Sequence, residues 1–390
     1  MKAVEKGNLN TLQKLIRSKA DIDAQDDDGF TALMKAVDFN EVKCVRALIS
    51  GNATVDIRDD IGRTALMIAS TRGYAAITRL LLDANAEVDA TDDEGVTPLV
   101  SAGIHGHDEC MQLLIDADAD IEHLDEEGIT CLMSTCVQGY PSCVRTLLRA
   151  GVDIEAQDDF TCTALMLAVM SEQTECLQLL IDAKANLEHR NEEGETALSL
   201  ASRGGKKKAM QALVAAKAEV NAKDGRGYTP LMGAVIQSDS DCVQILIDAK
   251  ADIEDRSDHG FTALMDAVFR GQAECVKTLI RNRVNIEAKT RDGLTALSIA
   301  ARDGQVGCLQ TLLDARANIE AKTTEGNTAL MWAAVEARPD CLRALIDAKA
   351  DIEVRNHSGQ TALMNAARVG RTEAVSILLQ ACCSLGTYSA

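Results

Sequence analysis

Apolar and polar positions along this chain follow a pattern that resets every 33 residues. The phrase Thr-Ala-Leu-Met begins at Thr31, Thr64, Thr163, Thr262, Thr328 and Thr361, with variants at Thr97, Thr130, Thr196, Thr229 and Thr295. Within one period, Thr262 to Gly271 predicts a short helix stopped by a glycine suited to a left-handed backbone. Gln272 to Ile280 predicts a second helix, because Cys275, Val276, Leu279 and Ile280 fall three to four apart on one face. Asn285 to Gly293 then alternates briefly and ends in turn residues, which predicts a small hairpin loop. Met1-Lys2-Ala3-Val4 aligns with Met34-Lys35-Ala36-Val37, so the chain starts partway through one more copy.

Helix, turn, helix and loop at this period resembles the ankyrin repeat over essentially the whole chain. The resemblance implies an all-α solenoid of about twelve stacked helix-turn-helix repeats with short β-hairpin loops. The phase gives a single array over 1–390 with units at 1–26 (truncated), 27–59, 60–92, 93–125, 126–158, 159–191, 192–224, 225–257, 258–290, 291–323, 324–356 and 357–390. A short tail starts at about 384.

Three departures from the family pattern carry expectations. The family's Thr-Pro-Leu-His is Thr-Ala-Leu-Met here, which removes imidazole hydrogen bonds and shifts stacking toward apolar contact. Lys19, Asn52, Asn85, Asp118, Lys184, Lys217 and Lys250 stand where the family prefers glycine, with only Gly151 matching, so looser corners are expected there. Thr161 replaces a loop glycine and predicts local distortion from Asp158 to Cys162.

Composition narrows the function. Apolar residues make up 46% of the chain and aromatics 3%, which suits helices packed through small side chains. No apolar run approaches the roughly 20 residues of a membrane span, and the first residues lack a secretory pattern. A cytoplasmic or nuclear location is the default expectation. Residues 1–200 hold 16 Lys+Arg against 37 Asp+Glu, whereas 201–390 hold 24 against 23. The acidic half repels phosphate backbones and favours basic protein partners, so nucleic-acid binding is not expected.

Candidate chemistry mostly dissolves into the period. Cys44, Cys110, Cys143, Cys176, Cys242, Cys275, Cys308 and Cys341 share one slot, about 10 Å apart in a stack and too far to form disulfides. They read as small core residues, as do Cys131, Cys136 and Cys162, while Cys382 and Cys383 read as an exposed pair. His105, His107, His123, His189, His259 and His357 lie in scattered positions that give no metal-ligand spacing, and a His105–Cys136 dyad would lack an orienting group. Lys206-Lys207-Lys208 after two glycines lacks the phosphate-loop spacing and reads as a solvated helix start or an import patch. The acidic loops lack the twelve-residue calcium-ligand pattern. No cofactor, metal, small-molecule substrate or catalytic residue is expected. The resemblance also makes Asn221, in Ala218-Glu219-Val220-Asn221, a candidate for enzymatic hydroxylation, a slot that is acidic at most other repeats.

Binding is expected on the inner-helix face and at the loop tips, where a repeat array allows free variation. One inner-helix slot carries Asp38, Thr71, Ile104, Val137, Met170, Arg203, Ile236, Phe269, Arg302, Val335 and Arg368. With Phe39, Arg72, His105 and Trp332 it forms a candidate contact surface, unless the helices rotate it into the stack. Acidic tips supply Asp27, Asp60, Asp93 and Glu126, while Lys223, Arg226, Arg256, Lys289, Arg291, Lys322 and Arg355 populate later loops. The leading expectation is a non-catalytic protein-binding scaffold or adaptor. The rival is a targeting or regulatory segment of a larger enzyme, channel or assembly.

Overall fold

The computed structural model describes residues 1–384, and the tail expected past that point lies outside the described residues. Two compact units, Met1–Glu192 and Glu193–Ala390, each contain six helical pairs among the described residues. Each unit is all-α and stacks one pair on the next, as in a solenoid.

The recurring threonine explains where the first helix of each pair after Lys2–Glu5 begins. Thr31, Thr64, Thr97, Thr130, Thr229 and Thr262 sit extended at the N-cap, and each side chain accepts a hydrogen bond from the backbone N–H three residues on. In the first two, the following methionine's sulfur accepts from the threonine N–H, so Met34 and Met67 supply a weak version of the lost polar tie. Thr163 and Thr328 occupy the same position without a side-chain cap. Leucine, methionine and alanine fill one side of this helix, and the cysteine slot with a neighbouring Leu or Val fills the second. Together they form the dry seam between pairs.

The corners are not loosened. Lys19, Asn52, Asn85, Asp118, Lys184, Lys217 and Lys250 all take positive φ, between 59° and 69°. Asn52 and Ala53 donate to Ile49 and Leu48 at 3.0 Å, tighter than the 3.3 Å bonds at Gly151 and Val152. The hydrogen-bond pair outweighs the roughly 1 kcal/mol cost of the left-handed residue.

Between pairs the chain makes a tight loop rather than extended strands. The Asp26 N–H donates to the Phe30 carbonyl, and its carboxylate accepts from the N–H groups of Asp28 and Phe30. Among the described residues, antiparallel pairing registers only as isolated bridges at Leu124–Thr130 and Gln157–Thr163. The distortion expected at Thr161 is absent. It takes φ 57°, Asp158 still donates to the Cys162 carbonyl, and the Asp158 carboxylate still accepts from Phe160 and Cys162. Loop glycines elsewhere answer a steric demand too: a Cβ on Gly29 would stand 2.6 Å from the Asp60 nitrogen of the next loop.

Stacking has a polar side as well as an apolar one, contrary to the expectation raised by the missing histidine. Three ladders repeat within each unit. An acidic or amide side chain accepts from a backbone N–H one repeat on: Asp56 from Glu87, Glu122 from Asp153, Glu254 from Asn285, Glu287 from Asn318. A long donor reaches the carbonyl 33 residues later, as Gln25 does to Arg58 and Lys289 to Lys322. A third side chain caps the preceding first helix: His107 to Thr71, Gln173 to Val137, Gln305 to Phe269 and Arg371 to Val335.

Candidate partner-binding surfaces

Three ladders consume many of the charges that the sequence offers for binding, so the free groups are those outside the ladder slots. In the first unit, Asp26, Asp59, Asp92, Asp125 and Asp158 are turn acceptors, and Asp59 is 7% exposed beneath Arg63. The next residue in each of the first four loops points outward. Asp27, Asp60, Asp93 and Glu126 are all exposed. Met1–Glu192 holds 16 Lys+Arg against 35 Asp+Glu, so these carboxylates lie in a field of their own sign.

The cations that populate the later loops are largely spent on neighbouring carbonyls. In the second unit Lys223, Arg256, Lys289 and Lys322 donate to carbonyls of the next loop, and Arg355 donates to Gly359 within its own. Lys207 of the lysine run is ion-paired with Asp239 and Asp241, and these two carboxylates raise its pKa.

The first-helix slot stays out of the dry seam. In the first unit Ile104 and Val137 are half-buried and Met170 is 52% exposed, with Phe39 at 50% and Arg72 exposed beside them. Arg72 pairs with Asp38 at 2.9 Å. His105 is exposed, bonds the Ser101 carbonyl through Nδ1 and stacks on His107. In the second unit Ile236, Val335 and Trp332 are half-buried, and Phe269 is 49% exposed with its ring edge against Phe261. Exposed apolar loop-tip residues Ile61, Leu124 and Phe160 were not singled out from sequence, since the period alone does not separate a tip from a packed loop position.

Asn221 is exposed, and its side-chain oxygen accepts from the Asp252 N–H at 2.8 Å. It occupies the same ladder slot that Glu254 and Glu287 fill, which accounts for the acidic pattern in that slot. Its hydroxylation remains a proposal, with loop bonding as the structural use of the side chain.

All thirteen cysteines are thiols, and Cys382 is buried while Cys383 is exposed, so only one member of that terminal pair faces solvent. Burial pushes the Cys131 and Cys242 thiols up to about 12 and those of Cys275, Cys308 and Cys341 to about 11. Cys136 is raised by the Cys176 sulfur beside it and by burial, and no His105 contact activates it. No group of His, Cys, Asp or Glu among the described residues is arranged to hold a metal, and no described helix is long and apolar enough to cross a membrane.

Sequence reasoning missed one buried acid. Asp266, on the first helix Ala263–Phe269, is 4% exposed, and its Oδ2 has no hydrogen-bond partner. Burial drives its carboxyl up to about 6, against the opposing pull of Arg270 and His259. The period marks this slot as variable, but burial there depends on the neighbouring repeat.

Comparisons with known proteins agree with this architecture. A family model described as ankyrin repeats in three copies matches residues 1–92, 77–158, 147–224, 216–290 and 264–356, and a single-repeat model matches 358–387. The crystal structure of the human ASB11 ankyrin repeat domain is similar at 24% identity and TM-score 0.52, over 57% of this chain and 99% of that one. The ankyrin repeat domain of Bcl-3, a member of the IkappaB family, is similar at 28% identity and TM-score 0.52, over 56% and 99%. A search of curated proteins finds no match. Ankyrin repeats form a protein-interaction module.

Proposed function

Because the chain belongs to the ankyrin-repeat family, we propose that it is a non-catalytic scaffold or adaptor that holds partner proteins on its first-helix faces and loop tips. For the first unit the partner segment is basic. The observation that carries this reading is the split within each acidic loop: one carboxylate is spent on the turn, and Asp27, Asp60, Asp93 and Glu126 are left exposed on successive loops. Clustered charge of one sign steers an oppositely charged partner, and half-buried apolar side chains nearby retain it.

Binding of an oligolysine peptide to the full chain tests this. Asp27→Lys, Asp60→Lys, Asp93→Lys and Glu126→Lys together should slow association by about tenfold or more and flatten its salt dependence, because these charges act over about 8 Å at physiological salt. Unchanged association and an unchanged salt slope would remove the basic-partner reading.

A further inference from the structure

We infer that the second unit recognises a carboxylate on an acidic segment of a partner protein, in a cavity between the first-helix ends and loops of repeats 324–356 and 357–384. The inference rests on the reading that the chain binds proteins. The cavity has a volume of about 550 Å³ and is lined by Asn327, Trp332, Asn356, Gln360, Asn365 and Arg368 among others.

Its walls are satisfied and held in place. Asn356 donates to Asn327 Oδ1 at 2.9 Å, while its own Oδ1 accepts from the backbone N–H groups of Ser358 and Gln360. Glu325, the lining carboxylate, accepts from the Asn327 amide at 3.2 Å. One donor of the lining is left without an acceptor. Trp332 Nε1 is buried with no hydrogen-bond partner, and Asn365, 3% exposed, lines the cavity with it. Arg368 lines the same cavity, is exposed and makes no ion pair among the described residues. A buried donor without an acceptor is uncommon in folded proteins.

The chain itself shows which partner. Arg203 occupies the same slot five repeats earlier in this unit, and it pairs with Glu195 at 2.7 Å and Glu193 at 3.3 Å. The slots equivalent to Glu195 and Glu193 hold Gln360 and Ser358 in the last repeat, and both line the cavity. Both repeats carry the arginine, and in the last one the two carboxylate positions hold neutral side chains. A carboxylate from outside would restore the pair with Arg368.

Trp332 is the chain's single tryptophan, so its emission reports occupancy of this cavity directly. An oligoglutamate peptide titrated into the full chain should change that emission saturably, with a matching calorimetric affinity. Arg368→Gln should weaken binding about tenfold, the loss expected for a charge-assisted pair. Gln360→Glu should weaken it by a similar factor while leaving the melting temperature at or above that of the parent, because it supplies the carboxylate internally as Glu195 does for Arg203. Silence in both emission and calorimetry would overturn the inference, as would full-strength binding to the Gln360→Glu variant. Glutarate binding as tightly as the peptide would overturn the partner-protein assignment. Failure here leaves the oligolysine measurement on the first unit untouched, so the two readings fall separately.

Discussion

Asp266 shows what a single residue can hide inside a regular repeat. Its carboxyl has an ordinary value of 3.8 and is raised to about 6, chiefly by burial. A raised carboxyl binds its proton more tightly in the folded state, so the ionised form opposes folding. That cost is absent below about pH 3.8, grows between there and 6, and is complete above 6. Its size is about 3 kcal/mol at most, given about 1.4 kcal/mol for each tenfold change in proton affinity. Asp266→Asn should therefore stabilise the chain by up to about 3 kcal/mol near pH 7.5 and by little near pH 4. Denaturant midpoints of parent and variant at both pH values measure this, and an equal gain at both would show that ionisation is not the cause. Thr161 makes the complementary point. It adopts φ 57° where other loops have glycine, and the loop keeps every turn hydrogen bond, so the sequence-based expectation of distortion overestimated the local penalty relative to the bonds that oppose it.

At the scale of the helix and its loop, the threonine that opens each first helix gives an internal control. Thr130 accepts from the Met133 N–H at 3.2 Å, whereas the Thr163 hydroxyl is buried with no partner. Thr130→Val should cost about 1 kcal/mol through the lost cap, and Thr163→Val should be neutral or stabilising because it removes an unsatisfied buried hydroxyl. Urea denaturation of the two variants separates them, and equal losses would mean that the cap contributes nothing here. Much of this level was legible in the sequence. The 33-residue phase placed both helices, the left-handed corners and the buried cysteine slot, because burial in a stack repeats with the repeat. The ladders were not legible. Glu254 to Asn285, Lys289 to Lys322 and Gln305 to Phe269 each join residues about one repeat apart, and a single sequence marks such positions as polar without saying which are spent on the neighbour. The same limit hid the candidate cavity, since Arg368 stands in the slot of Arg203 with neutral residues in place of the partners eight and ten positions earlier.

Across the molecule, the two units share one architecture and differ in charge, which makes ionic strength a probe of each. Met1–Glu192 carries 16 Lys+Arg against 35 Asp+Glu, while the second unit carries 24 against 25. Helix pairs, caps and core are of the same kind in both, so packing gives no reason for them to respond differently to salt. Self-repulsion does. A strongly one-signed unit destabilises its own compact state, and added salt screens that repulsion over a length that falls from about 30 Å at 0.01 M to about 8 Å at 0.15 M. Successive acidic loops present carboxylates such as Asp60 and Asp93 in neighbouring repeats, well inside the longer of those lengths. Raising sodium chloride through this range should slow amide hydrogen exchange across Met1–Glu192 by several-fold, the effect of about 1 kcal/mol, and leave the second unit nearly unchanged. Peptide-resolved exchange at the two salt concentrations reads both units in one sample. Equal slowing in both would assign the effect to general salt stabilisation of packing and would leave the acidic loops with no measurable cost to the fold, whereas confinement to the first unit would assign it to repulsion among that unit's carboxylates.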